Sequence, residues 1–529
     1  MKGEQDVIII GGGHNGLTTA AYLAKAGKRV TVLEARSILG GAAVTEEFVP
    51  GYRNSTASYT VSLLNPKVIA DLKLSDHELQ VIERPVANYY PYPDGTDFLL
   101  PYGDDAQLAA VSALSPQDRQ AWQRYGRDID LAASILKDQL TRIPPNPKGG
   151  IGDILSMLRL GRRFRALPAR DQQMVLDLFT RSADEFLRGY FTSEKLIAAL
   201  VFDGIIGHYA PPDAPGSAYV LLHHAFGEVN GKPGVWGHAV GGMGAISNAI
   251  ASAAKAAGAH LRTDTPVERV LIEKGKAIGV ITKAGETLRA NTIASAVGPK
   301  LLVDKLMDPA DVPDTFRERM DNWVTASGVF RMNVALSDLP QFKGRDNQES
   351  TAYLEAGIVI GPSSAYLRRA YEDARNTGWS KQPFIEMLIP STIDDSLAPA
   401  GHHVCSLFCQ YVAPTLPDGR DWDTVKRDVA DLMINTVDRY APGFKGLVVG
   451  YDALSPKDLE TRFGLMGGDI FHGRLSIDQL FSARPMMGHA DYRLPVQGLY
   501  LCGSGAHPGG GVTGLPGHNA AQIMLRDLR

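Results

Sequence analysis

The 529-residue chain has only three cysteines, Cys405, Cys409 and Cys502. Three thiols cannot build a disulfide framework, which excludes a small stapled secreted scaffold and fits a reducing, cytoplasmic compartment. Cys405 and Cys409 stand in Val404-Cys405-Ser406-Leu407-Phe408-Cys409, an apolar strand-like run where cysteine serves as a small hydrophobe. No apolar run reaches the length of a spanning helix. No signal peptide is expected, because the first strand starts almost at once. Basic charge is not in surplus: 54 Lys and Arg stand against 58 Asp and Glu, a net charge of −4 that leaves no electrostatic case for nucleic acid. The 13 histidines show no tight metal-ligand spacing, so no metal is expected, and His402-His403 reads as a turn entering a strand. The length exceeds a single hydrophobic core and predicts two or three domains.

What is present begins at the N-terminus. Asp6-Val7-Ile8-Ile9-Ile10 reads as a fully buried strand. It runs into Gly11-Gly12-Gly13-His14-Asn15-Gly16, which fits G-x-G-x-x-G at Gly11, Gly13 and Gly16. A helix is predicted from Leu17 to Ala26, then a strand from Arg29 to Leu33 that ends at Glu34. In this pattern the first glycine makes the tight turn, the second admits a pyrophosphate, and the third lets helix and strand pack closely. Open N–H groups at the helix start hold phosphate, and Glu34 accepts the ribose hydroxyls. Gly40-Gly41 follows soon after, flanked by Ala35-Arg36 and Ala42. Such a pair brings further N–H groups to the pyrophosphate, and Arg36 is placed to lie over an adenosine. NAD domains do not normally require this second glycine pair, so the dinucleotide expected is FAD.

Beyond residue 60 the character changes. Two strands around Asp94-Gly95 read as a hairpin, and residues 104–200 read mainly as helices. One of these, from Ile151 to Arg165, is apolar on one side and basic on the other. It suits a membrane surface or a substrate entrance, although a helix packed on its own domain is the better expectation. Gly242-Met243-Gly244 with Ser247 nearly repeats the dinucleotide fingerprint, but the run before it alternates, and a second nucleotide site is not expected. Strands at His260–Arg262, Val267–Ile272, Ala277–Thr282 and Thr292–Ala296 look like a return to the first domain. The chain closes on a strand, the glycine-rich turn from Gly503 to Gly514, and a terminal helix. This second helix-backed cradle suits the ribityl chain and the N1–C2=O edge of a flavin. The division expected is a discontinuous FAD-binding domain, 1–65, 235–320 and 490–529, and a substrate domain, 66–234 and 321–489.

The two ends together resemble the FAD-dependent phytoene desaturase and carotenoid isomerase family. The residues carrying the resemblance are Gly11 to Gly16, Glu34, Gly40-Gly41 and Gly503-Ser504-Gly505-Ala506-His507-Pro508-Gly509-Gly510-Gly511-Val512. Within it, Tyr209-Ala210-Pro211-Pro212, Gly216-Ser217-Ala218-Tyr219 and Gly227-Glu228-Val229-Asn230-Gly231 are similar to the branch named for a pyridine nucleotide-disulphide oxidoreductase domain. The resemblance implies an α/β fold with a Rossmann-like FAD-binding domain of the glutathione-reductase/amine-oxidase type, and an α+β substrate domain. It implies non-covalent FAD held by Gly11, Gly13, His14, Asn15, Gly16, Glu34, Ala35, Arg36, Gly40, Gly41, Ala42, Val267, Gly503, Ser504, Gly511 and Val512. Disulphide chemistry is not expected, since no cysteine precedes Cys405. Amine oxidation is put in doubt by Ala42, where amine oxidase relatives carry Arg, and by Val512 and Thr513, where they carry aromatic cage residues.

The activity implied is transfer of hydride from a substrate C–H to flavin N5, with a base or water taking a proton. The substrate expected is a small molecule of apolar or amphiphilic kind, with peripheral contact to a membrane surface left as an alternative. A redox-neutral isomerase, an amine or alcohol oxidase, and a flavin-containing binding protein remain alternatives. His507 and His224 are the candidate catalytic residues. Structural roles compete for both: His507 could hold the glycine loop, and the apolar run before His223-His224 suits a satisfied wall histidine.

Overall fold

Val7–Ile10 pairs on both sides and is buried throughout, which is why the run shows no alternation. In the computed structural model, which describes residues 5–147, 149–345 and 350–529, Gln5–Ile10 lies at the centre of a seven-stranded sheet. Its parallel part runs His260–Arg262, Val30–Leu33, Gln5–Ile10, Thr287–Ser295, Leu499–Leu501. Thr287–Ser295 does two jobs. Its first residues pair antiparallel with Lys276–Thr282, and Ile293–Ser295 pairs with Leu499–Leu501. Val267–Glu273 then extends the antiparallel edge.

Helices His14–Lys25, Gly244–Ala256 and Leu515–Asp527 lie together, the first between the other two. Small residues make this close packing possible: Ala20, Ala21, Ala249, Ala253, Ala520 and Ala521 are all buried in one core. The first helix starts at His14, three residues before the predicted Leu17, because Gly13 already serves as its N-cap.

A second seven-stranded sheet runs Val448–Leu454, Val329–Leu336, His403–Val412, Trp379–Leu388, Gly357–Ile360, Asn88–Pro91, Asp97–Leu100. The last two form the hairpin predicted around Asp94-Gly95. Period-two alternation divides its faces. Ile385, Met387, Leu407 and Cys409 pack with the helix Trp422–Tyr440 in one core. Phe384 and Phe408 point the other way, into a core shared with the helices of residues 104–224.

One boundary differs from the sequence division. Val68, Leu72, Leu74 and Leu79 belong to the core of the dinucleotide sheet, so residues 66–80 pack with that layer rather than with the second sheet. Val68 lies against Gly514, where an added Cβ would be 3.1 Å from its side chain. Long-range packing against the far end of the chain decides this boundary, and local composition does not report it.

The ends of the chain interlock at backbone distance. A Cβ on Gly517 would lie 2.2 Å from the Asn15 carbonyl oxygen. Gly517→Ala is expected to force the terminal helix off the first one, lowering the apparent Tm and the bound flavin together. The strain is on the order of 1–3 kcal/mol or more. Thermal melts and the visible-to-ultraviolet absorbance ratio check it; wild-type values for both would contradict it.

Candidate functional site

The glycines of the N-terminal loop make room for backbone, not side chains. A Cβ on Gly16 would sit 2.2 Å from the Gly11 carbonyl oxygen, and one on Gly41 would sit 3.1 Å from the Gly13 Cα. Gly40 N–H donates to Gly12 O at 2.8 Å, so the second glycine pair docks directly on the first loop. The helix His14–Lys25 has no side-chain cap and no acid in its first turn, leaving the geometry of an anion site. Glu34 is buried, its Oε2 accepting from Gly12 N at 2.7 Å and its Oε1 from Arg36 N at 2.9 Å. Glu34 and Ala35-Arg36 run beside Arg262–Thr265: Glu34 N donates to Arg262 O, and Thr265 N donates to Glu34 O. Val267 is buried two residues further on. Arg36 pairs with Glu46 at 2.7 Å and lies over the Phe463 ring at 4.9 Å, leaving Nη1 without a partner.

The C-terminal cradle meets this loop through Asn15, whose Nδ2 donates to Ser504 Oγ at 3.0 Å across 489 positions of sequence. A Cβ on Gly503 would be 2.1 Å from Ala296 O. Buried Arg484 fixes the segment by donating to Ser504 O at 2.7 Å and to the carbonyls of Phe471, Gly473 and Gln479. Gly511 has φ +123°, and Val512 has φ +53°, a left-handed conformation costly for a β-branched residue. Strain of this kind persists where surrounding structure imposes it.

Whether this cradle fits FAD can be judged from its polar atoms. His14 Nε2, Asn15 Oδ1, Arg36 Nη1 and His223 Nε2 are buried and have no hydrogen-bond partner. His223 Nε2 lies 3.3 Å from the place a Cβ on Gly511 would take. Orphaned groups beside two open glycine cradles match the needs of a pyrophosphate and a flavin edge. The N-terminus of Gly244–Ala256 is filled instead: Gly244 N donates to Thr45 Oγ1 and Met243 N to Ser55 Oγ, so no second nucleotide site forms there.

The two candidate catalytic histidines stand elsewhere. His507 is buried with Nε2 donating to Gln139 O at 2.9 Å, and burial pushes its pKa down to about 4. His224 Nδ1 lies 2.9 Å from Val220 O, one turn back on its own helix, and burial lowers its pKa too. Neither lines the cavity that opens from the flavin cradle. The structure thus places the expected catalytic residues His507 and His224 outside that cavity, His224 bonded to its own helix and His507 to Gln139 O through Nε2, with His507 Nδ1 buried without a partner.

That cavity is lined on the cradle side by His14, Ala42, Ser504, Gly511 and Val512. Across from them stand Tyr59, Arg84, Phe202, Asp203, Glu386 and Phe408. Register explains three neighbours on this wall. Glu386 is paired with Phe408, and Phe408 with Arg331, so all three lie in one cross-strand row on the inward face. Tyr59 covers the row, its ring 5.5 Å from Phe408, its hydroxyl donating to Glu386 Oε2, and the Arg331 guanidinium 4.5 Å from its ring centre. Arg331 is satisfied by Ala57 O, Leu407 O and Ser406 Oγ. Arg84 is not: Nη2 reaches Thr60 Oγ1 at 3.2 Å, while Nε and Nη1 are buried without partners. Burial, with the charge of Glu386 second, raises Asp203 well above the carboxylate range, and burial raises Glu386. Sequence reasoning missed this group. Its one local signal is a lone Glu in Phe384-Ile385-Glu386-Met387-Leu388 and a lone Arg in Phe330-Arg331-Met332.

No group of three metal-ligating side chains occurs among the described residues. Cys405 and Cys409 lie on the face of the second sheet turned away from the cavity, and burial pushes both thiols up.

Fold and site together define a flavin-dependent oxidoreductase, with FAD as its cofactor. Residues 16–335 match the family described as flavin containing amine oxidoreductase, and the chain belongs to that family. Pyridine nucleotide-disulfide oxidoreductase domain-containing protein 2 of Rattus norvegicus is 41% identical over 550 residues, covering 100% of this chain and 94% of that protein. A limonene dehydrogenase polypeptide of Castellaniella defragrans is 26% identical, covering 99% of this chain and 95% of that protein. The crystal structure of an oxidoreductase from Methanosarcina mazei shares the fold at a TM-score of 0.60 and 17% identity, covering 98% of this chain and 99% of that one.

Burial holds His14, His208 and His472 at a pKa of about 4 and His223 at about 3. Each is depressed below its unfolded value of about 6.5, so acid protonates the unfolded chain first. Stability is expected to be full above about 6.5 and to fall from there toward about 4. Melts across this range check it, with a shallower fall in His472→Gln; a flat profile would contradict it.

Proposed function

We propose that the chain oxidises a C–H bond of an amphiphilic small molecule held in this cavity, with Glu386 taking the accompanying proton and Arg84 holding the substrate's polar group. The observation that carries this reading is the Tyr59–Glu386–Asp203–Arg84 group opposite the flavin cradle, with Glu386 and Arg84 buried and Tyr59 and Asp203 half-buried. FAD, when bound, supplies a two-electron acceptor. The remaining work falls to the chain's own residues. Phe202, Ile206, Phe408, Leu465 and Phe471 wall the cavity and exclude water. Asp203 lines the same wall, and burial, with the charge of Glu386 second, holds its carboxyl well above the usual carboxylate range. Tyr59 orients Glu386 and donates to it.

The relative named for limonene dehydrogenase supports C–H oxidation. A pure hydrocarbon, however, would leave two guanidinium nitrogens of Arg84 buried and unpaired, at about 1–3 kcal/mol or more each. A polar group on the substrate removes that cost, which favours an amphiphile over a polyene. A second reading is amine oxidation: the family description and the Glu386 carboxyl on the cavity wall favour an ammonium group.

Anaerobic mixing of the holoenzyme with long-chain carboxylates, amines and hydrocarbons tests both by loss of the visible flavin absorbance. Bleaching by a carboxylated amphiphile is expected, slowed about 10²–10⁴-fold in Glu386→Gln with flavin content unchanged. Bleaching by amines alone would transfer support to the second reading. An unaltered rate in Glu386→Gln would remove the proposed proton acceptor.

A further inference from the structure

The helix Ile151–Arg165 has its apolar side on the outside. None of its residues is buried. The residues turned toward the protein are Asp153, Ser156, Leu160 and Phe164, all partly covered, with Phe164 packed against the helical core. On the opposite stripe Ile151, Ile154, Leu155 and Leu158 are 50–77% exposed. This is the reverse of a helix that packs on its own domain, where the apolar stripe faces inward. The sequence expectation of an ordinary packed surface helix therefore does not hold.

The same outward stripe continues into Arg162 and Arg165, with Arg159 on its flank. Arg163 is ion-paired with Asp138 at 2.9 Å, whereas Arg159, Arg162 and Arg165 have no ion pair among the described residues. Beside the helix lies a groove of about 560 Å³ between it and the terminal helix Leu515–Asp527. Its lining includes three exposed arginines, Arg142, Arg159 and Arg526, with Gln522 as a further donor. An apolar ridge with unpaired arginines beside it, on a chain of net charge −4, is a local concentration of positive charge against the trend of the molecule.

We infer that this face docks on the surface of an anionic phospholipid bilayer, the apolar ridge entering the acyl boundary and the arginines meeting phosphate headgroups. Charge complementarity selects this occupant. A second copy would bring its own unpaired arginines against these, and a neutral surface would leave them unmatched. The contact is peripheral, since no helix among the described residues is long and apolar enough to cross a membrane.

Co-sedimentation of the flavin-loaded protein with phosphatidylserine-containing and with pure phosphatidylcholine vesicles tests the inference. The wild type is expected to pellet with the first and not the second. Leu155→Ser/Leu158→Ser and Arg159→Glu/Arg162→Glu/Arg165→Glu are each expected to weaken vesicle binding by about tenfold or more. Their flavin spectra and Tm should match the wild type, because these side chains are solvent-exposed and stand outside the flavin site. Equal binding to both vesicles, wild-type binding by either variant, or a wild-type dimer split by the serine pair in light scattering would overturn it.

Discussion

Three backbone segments far apart in sequence approach each other to distances that only glycine permits. Gly16 and Gly503 both pack on Ala296, and Gly517 packs on Asn15, each with less room than a Cβ requires. This contact fixes the strand order of the first sheet, since Leu499–Leu501 must lie beside Thr287–Ser295 for the last turn to reach the first loop. It also sets the two cradles on one side, joined by Asn15 and Ser504. Flavin binding is thus a property of the closed chain rather than of any one motif.

The second sheet supplies what the cradles lack. Its central strands Val329–Leu336 and His403–Val412 are buried on both faces, yet one row across them and Trp379–Leu388 reads Arg331, Phe408, Glu386. Burying that row is costly unless each group is matched. Arg331 is matched by protein carbonyls and a serine, and Glu386 by Tyr59; Arg84 keeps nitrogens unpaired. Arg331 thus closes on protein groups, whereas Arg84 keeps two nitrogens buried without partners on the wall of the cavity.

The cofactor half was legible in the sequence because its signals are local. Gly11, Gly13, Gly16, Glu34 and Gly40-Gly41 act within a few residues of one another, and the turn from Gly503 opens a helix in the same manner. The strand His403–Val412 was legible for the same reason, as the apolar run around Cys405 and Cys409. The cavity wall facing the cradle was not. Tyr59, Arg84, Asp203 and Glu386 come from four separate stretches, and only sheet register and helix packing bring them to one cavity. His507 and His224 drew attention by lying near glycine or paired histidine motifs, but their rings turn to Gln139 and Val220. Residues 66–80 read as part of the wrong layer because Val68 finds its partner near Gly514, beyond the reach of any local pattern.

The account rests most heavily on Arg84 as the open charge of the cavity. Titrating a long-chain carboxylate and its parent hydrocarbon into the oxidised holoenzyme, while following the flavin spectrum, addresses that point directly. A saturable spectral change with the carboxylate, none with the hydrocarbon, and loss of the change in Arg84→Met with full flavin content is the predicted result. An undiminished response in Arg84→Met, or an equal one to the hydrocarbon, would contradict it.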